Sequence, residues 1–216
     1  GRHSDVEQCR RPIDVAFVAA PTSDTMGNCS GKYGKSACGS LGYAFADAMY
    51  AKKVIVITDN LVPYPLADFS ISETYVDYVV QVESIGNPAG IVSGTTKITR
   101  DPVGLVMAQY AAKVIEHSGL LKDGMSFQTG AGGASLAAAK YLRDIMLEKG
   151  IKGSYGVGGI TSYMVDMLNA GCFEALLDVQ CFDLGAVESI RTNPRHREVT
   201  ASHYASPSVR SSAVDS

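Results

Sequence analysis

No stretch of this 216-residue chain is apolar for the roughly 20 residues needed to cross a bilayer, and no segment carries a long run of one charge. Nineteen Lys and Arg against 22 Asp and Glu leave a formal charge of −3, so neither nucleic acid nor a membrane is expected as a partner. The opening Gly1-Arg2-His3-Ser4-Asp5 lacks the basic-then-apolar order of a secretory leader, which points to the cytoplasm. The five cysteines (Cys9, Cys29, Cys38, Cys172, Cys181) form no C-x-x-C pair, and the four histidines (His3, His117, His196, His203) stand at no ligand spacing from them. That argues against a zinc site and a disulfide framework, and no metal is expected. Cys38, in a glycine-rich loop, is the thiol to watch. Asn28-Cys29-Ser30 is a nominal sequon without secretory context and is set aside. The missing initial Met and the polar stretch Ala205 to Ser212 look like cuts, so a fragment is expected.

What is present is an apolar fraction of 46%, enough to build one large or two small α/β domains. The runs Ile13–Ala20 and Val54–Thr58 suit strands covered on both faces, as in a parallel sheet. Between them Leu41, Phe45, Ala48 and Met49 recur at helical spacing after Ser40, a candidate cap. A further strand is expected at Val76–Val82. Asp101-Pro102 is the clearest helix start: the carboxylate can accept from free N–H groups, and Pro sits where its missing N–H costs nothing. Val103, Val106, Met107, Tyr110, Ala111, Val114 and Ile115 follow at i, i+3, i+4 steps up to Gly119. The pattern restarts after residue 120. It predicts a strand at Met125–Gln128, a helix at Ala134–Lys149, a helix at Ile160–Asn169, a strand at Leu176–Phe182 and a helix from Asp183 to Arg191, broken by Asn193-Pro194. Domains of 1–120 and 121–216 follow from that restart.

Chemistry is best sought where a strand turns through small residues into a helix. At Ser126–Leu136, backbone N–H groups at the positive helix end point beyond the strand's carboxyl edge, where an anion or a developing oxyanion is stabilised. Gln128, Gly130, Gly132 and Gly133 are the candidate catalytic positions, with Thr129 beside them. A tight turn whose glycines merely allow close packing explains the same residues equally well. The loop has neither the Lys-Ser/Thr ending of a phosphate loop nor G-x-G-x-x-G spacing. Gly27–Ser40, with Lys32 and Lys35, and Ser154–Ser162, with Gly158 and Gly159, share the strand-to-helix logic. Gln180, Asp183, Glu188, Arg191, Asn193, Arg195 and His196 crowd polar groups after a buried strand. No carboxylate pair or Ser-His-Asp order fixes a mechanism.

The stretches Ile13–Thr22, Tyr33–Gly42, Val56–Pro65, Gly90–Pro102, Ser126–Gly133 and Gly158–Thr161 resemble the citrate lyase alpha subunit family, of family I CoA-transferase type. The resemblance runs through the whole chain. It implies three-layer α/β/α parallel-sheet domains of the CoA-transferase (NagB/RpiA-like) type, the second incomplete here, with the active site between them. It also implies exchange of acetate for citrate on an acyl-carrier thioester, or on CoA, with no permanently bound cofactor. The carrier thioester rests on a phosphopantetheine-type group of a gamma subunit, and a beta subunit cleaves the citryl product in an oligomeric complex. Citrate, acetate and acetyl-CoA are the implied small partners.

The related two-step transferases use a glutamate nucleophile, whose counterpart falls near Gly158-Gly159, where no carboxylate stands. Direct attack of citrate through a mixed anhydride is therefore expected, with Lys32, Lys35, Arg191 and Arg195 as candidate citrate partners, and the 216-residue piece is expected to be inactive alone. The alternatives are a broader acetyl-CoA hydrolase or transferase for another small acid, a non-catalytic docking scaffold and, least supported, a nucleotide-binding module.

Overall fold

A computed structural model describes residues 12–91 and 97–205. Cys9, His3, the tail beyond Ala205 and the Val92–Thr96 part of the Gly90–Pro102 stretch lie outside them. The described chain builds two parallel sheets and one small ribbon. In the first sheet β1 (Val15–Ala19), β4 (Lys53–Thr58) and β6 (Tyr78–Gln81) lie in the order β1-β4-β6, with α1 (Gly42–Tyr50) crossing from β1 to β4. The ribbon pairs β2 (Thr22–Asp24) antiparallel with β3 (Cys29–Ser30) and parallel with β5 (Leu61–Val62). The second sheet is all parallel in the order β10-β9-β8-β7, from β7 (Ser126–Phe127), β8 (Gly153–Ile160), β9 (Phe173–Cys181) and β10 (His196–Glu198). Its crossovers are α3 (Gly133–Lys149), α4 (Ser162–Asn169) and α5 (Leu184–Thr192). Because each crossover steps the same way along the sheet, right-handed connections place all three on one face. Leu142 and Met146 of α3, Met164 and Met167 of α4, and Ile190 of α5 close there over Phe173 and Leu176. On the opposite face α1 packs against β9, so helices cover this sheet on both sides. A short helix, α6 (Ala201–Ala205), follows β10 and touches α1.

Three expectations are corrected. The apolar runs of β1 and β4 suggested strands covered on both faces, but among the described residues only one face is covered. Ala16, Val18, Val54 and Val56 point into the core with Leu41 and Ala48, while Val15, Phe17, Tyr78 and Val80 are 44%, 67%, 59% and 43% exposed. The cause is topological: among the described residues α1 is the only crossover helix of this sheet, and the β4–β6 connection contains no α-helix. Second, the helix starting at Asp101, α2 (Pro102–His117), forms as expected, with the Asp101 carboxylate accepting from Gly104 N–H at 2.7 Å. Its periodic apolar stripe nevertheless faces outward; α2 packs along α3 through Gly104, Ala108 and Ala112, small residues at i, i+4, i+8 that let two backbones approach. Third, the glycine-rich Ser154–Gly159 segment is a full strand. A Cβ at Gly156 would stand 2.8 Å from the Leu176 side chain, and one at Gly153 2.8 Å from the Phe173 ring, so these glycines exist to let large neighbours lie across β8. Strand β8 therefore runs on to Ile160, and the following helix begins at Ser162.

Candidate active site

The carboxyl edge of the second sheet brings together two of the three glycine-rich segments. Strand β7 ends at Phe127, and the Gln128 side chain then lies over Gly158: its Cγ and Nε2 come within 3.4 and 3.5 Å of where a Cβ on Gly158 would be. Gly158 has φ +109° and sits at a register shift of the β8–β9 ladder, a conformation that favours glycine. At Gly159 any side chain would overlap the Phe182 ring, which fills the space above this strand end. From Gln128 the chain passes through Thr129, whose hydroxyl lies 3.2 Å from the Gly130 carbonyl oxygen, and enters α3. Gly132 is the N-cap with no side-chain cap, so the first N–H groups of a 17-residue helix open toward this edge. The neighbouring glycines differ: a Cβ on Gly132 meets nothing within 4 Å, whereas one on Gly133 would stand 2.9 Å from Lys97 O and 3.0 Å from Thr99 N. Gly133 is needed for packing; Gly132 faces open space.

Beside Phe182 lies a cavity of about 430 Å³ walled by Cys38, Leu41 and Tyr43 from the first half and by Val179, Gln180 and Phe182 from β9 and its end. The loop that forms this wall is the Gly27–Ser40 segment, and it is built around Asp24. The buried Asp24 carboxylate accepts from the N–H groups of Met26, Gly27 and Asn28 at 2.9, 2.8 and 3.1 Å, from the Asn28 amide at 2.8 Å and from Leu66 N–H at 2.9 Å. Burial pushes its pKa up, but these donors win and hold it below the ordinary carboxylate value. Gly39 (φ +88°) brings the loop so close to β9 that a Cβ there would overlap Cys181. Ser40 stands at the start of α1 as expected, its Oγ accepting from the N–H of Gly42, the first helical residue, at 3.2 Å, but it is not the N-cap position itself. Leu41 is the N-cap residue, and Ser40 turns its hydroxyl to the Asp178 carbonyl oxygen at 2.9 Å. The Cys38 thiol is half-buried, and burial, with the Glu198 charge, raises its pKa to about 11, so it is protonated at neutral pH and not an activated nucleophile.

The candidate cations are placed elsewhere. Lys32 Nζ pairs with Asp68 at 2.7 Å, and Asp68 also accepts from the Tyr33 hydroxyl at 2.6 Å. Arg191, paired with Glu188, is close enough to act on the Tyr33 phenol. Lys32 and Arg191 thus each have a carboxylate partner, Asp68 and Glu188, with Tyr33 between their influences. Lys35 Nζ donates to Glu83 O at 2.5 Å, and the exposed Arg195 stands in the loop entering β10. Sequence reasoning missed the buried chain Cys181–Asp178–His196–Ser189. Asp178 Oδ2 lies 2.9 Å from Cys181 Sγ and 3.0 Å from His196 Nε2, and His196 Nδ1 lies 2.9 Å from Ser189 Oγ. Burial pushes the Asp178 pKa up, opposed by the histidine. Asp178 and His196 stand among other polar residues of β9 and β10, so nothing in the sequence set these two apart as the buried pair.

The sequence model of "Citrate lyase, alpha subunit (CitF)" matches residues 1–216. The chain belongs to the citrate lyase alpha subunit family. Citrate lyase alpha chains of Klebsiella pneumoniae and Haemophilus influenzae are 45% and 46% identical over the whole of it. The chain spans 42% and 43% of their lengths. A Streptococcus mutans alpha subunit of citrate lyase, solved in complex with citrate, superposes with a TM-score of 0.91 at 48% identity, over 97% of this chain and 41% of that one. A 4-hydroxybutyrate CoA-transferase of Porphyromonas gingivalis, 19% identical, shares the fold with a TM-score of 0.60 over 92% of this chain and 47% of that one. The family thus carries a CoA-transferase-type fold of parallel sheets and helices. Among the described residues, no helix is long and apolar enough to cross a membrane.

Proposed function

We propose that this chain forms part of a transferase that exchanges acetate for citrate on an acyl-carrier or CoA thioester, within a complex that also holds the lyase and carrier subunits. The carrying observation, beside family membership, is the carboxyl edge where Gln128, the open Gly132 and the α3 N-terminus converge while Phe182 fills the space over Gly159. A citrate carboxylate attacks the acetyl carbonyl, its oxygen forming the new C–O bond, and the C–S bond breaks to release the carrier thiolate. The mixed citric–acetic anhydride left behind is attacked at its citryl carbonyl by that thiolate, giving citryl thioester and acetate. Each attack places negative charge on a former carbonyl oxygen, and backbone N–H donors fixed at a helix end stabilise it without rearranging. The Phe182 ring over Gly159 supports the direct route, because it occupies the room a carboxylate side chain there would need.

Two measurements on the full-length subunit in its complex test this reading. Hydroxylamine or borohydride trapping during turnover should leave every glutamate unmodified; a labelled Glu188 overturns the direct route. Gly132→Val should fold normally, since its Cβ meets open space, yet lower transfer by about 10²-fold, because the added side chain keeps the acyl oxygen from the helix-end N–H groups, equivalent to one oxyanion donor. Unchanged turnover in that variant removes the loop from the mechanism.

A further inference from the structure

The chemistry above leaves one half-buried carboxylate unused. Glu198 ends β10, the edge strand of the second sheet, yet its direct side-chain partners come from the first half of the chain. Oε1 accepts from Leu41 N–H at 2.7 Å and lies 3.3 Å from Ser40 Oγ, which shares its hydrogen with the Asp178 carbonyl oxygen. Oε2 accepts from Ser70 Oγ at 2.8 Å and stands 3.7 Å from Lys32 Nζ. At the start of α1 the Gly42 N–H donates to Ser40 Oγ at 3.2 Å, while the N–H of the N-cap residue Leu41 finds its side-chain acceptor in Glu198, on another strand. The carboxylate is itself held firmly. Val199 N–H donates to Asp178 O at 2.9 Å, and two residues before Glu198 the buried His196 bridges Asp178 and Ser189.

We propose that Glu198 is a positioning residue that clamps the Cys38–Leu41 loop against the second sheet and so fixes the wall of the carboxyl-edge cavity. Its kinetic consequence rests on the transferase reading; its structural consequence does not. Charge-assisted hydrogen bonds to a backbone N–H and a serine hydroxyl are the strong kind, and removing their shared acceptor leaves the Leu41 N–H at a helix start without its partner. Leu41 anchors the loop in the core of the first half, whereas Gly39 and Ser40 have little side chain to hold it against the second sheet.

Cys38 reports on this clamp directly, because it stands in the loop while Cys29, Cys172 and Cys181 are buried. Iodoacetamide labelling, read peptide by peptide in the full-length subunit, should show Cys38 of Glu198→Ala reacting about tenfold faster, with the three buried thiols unchanged, as expected of a local opening. Glu198→Gln, which keeps an acceptor but removes the charge, should restore most of the protection. The same Ala variant should raise KM for the acetyl thioester more than it lowers kcat. Three results overturn the proposal: Gln labelling as fast as Ala, which makes charge alone the cause; Ala labelling like the wild type; or all four thiols accelerating together, which marks global destabilisation. A wild-type complex with no citrate-dependent exchange defeats the transferase reading and leaves the labelling result standing.

Discussion

At the scale of single residues, the structure separates glycines and carboxylates that look alike in sequence. Gly132 and Gly133 are adjacent, yet only Gly133 is pressed against backbone. Composition cannot make that distinction, because what presses on Gly133 is the Lys97–Thr99 segment, more than thirty residues earlier. Asp24 attracted no notice in the sequence, standing in an ordinary polar turn, but its five hydrogen bonds make it the centre of the first glycine-rich loop. Asp24→Ala should cost about 3 kcal/mol or more in urea unfolding at pH 7, since several buried donors lose their acceptor at once. Its pH signature follows from the direction of its shift. A folded-state pKa below the ordinary carboxylate value gives stability that is fully present above that value and lost as pH falls through the folded pKa. The difference between wild type and variant should therefore shrink in acid, below about pH 4; a difference constant down to pH 2 would contradict the role given to the charge.

At the scale of elements, legibility tracked the kind of signal. Helix α2 was read from Asp101-Pro102 because caps are local chemistry, and Asp183 likewise caps α5 by accepting from Ala186 N–H at 2.9 Å. Strand β8 was hidden because four of its eight residues are glycine, and strand propensity is carried by side chains that this strand omits to make room for Phe173 and Leu176. The face of α2 was hidden for the converse reason: the conspicuous Val103, Met107, Tyr110 and Val114 are more than 60% exposed, and the seam is made of Gly104, Ala108 and Ala112. Ala108→Leu should accordingly destabilise the fold by about 1–3 kcal/mol through overpacking, while Val106→Ser on the outer stripe should change little. Thermal unfolding of the two variants checks the assignment, and the reverse order would mean that α2 is turned the other way.

At the scale of the whole molecule, the two parallel sheets are joined through α1, which touches β1 on one side and β9 on the other. The joint is made of backbone: a Cβ on Gly42 would stand 2.8 Å from both the Val179 carbonyl oxygen and its side chain and would overlap Val199 O. With Ser40, Leu41 and Ser70 also bonded across to β9 and β10, the halves should unfold as one unit. Circular dichroism and the exposure of the buried Cys29 and Cys172, one in each half, should report coincident midpoints in urea. The alternation of parallel strands and helices was visible in the sequence; this joint was not, because it brings Ser40 and Gly42 against residues such as Glu198, more than 150 positions away.

The first sheet gives the described molecule two unlike sides. Phe17, Ile55 and Tyr78 stand in one row across its three strands, and Ala19, Ile57 and Val80 in the next, with the salt bridges of Lys52 to Asp14 and Lys53 to Asp77 along one border. Such a surface sheds water on one side only. Salts such as ammonium sulfate, which are excluded from protein surfaces and strengthen apolar burial, will drive molecules together through that side well before the charged remainder begins to precipitate.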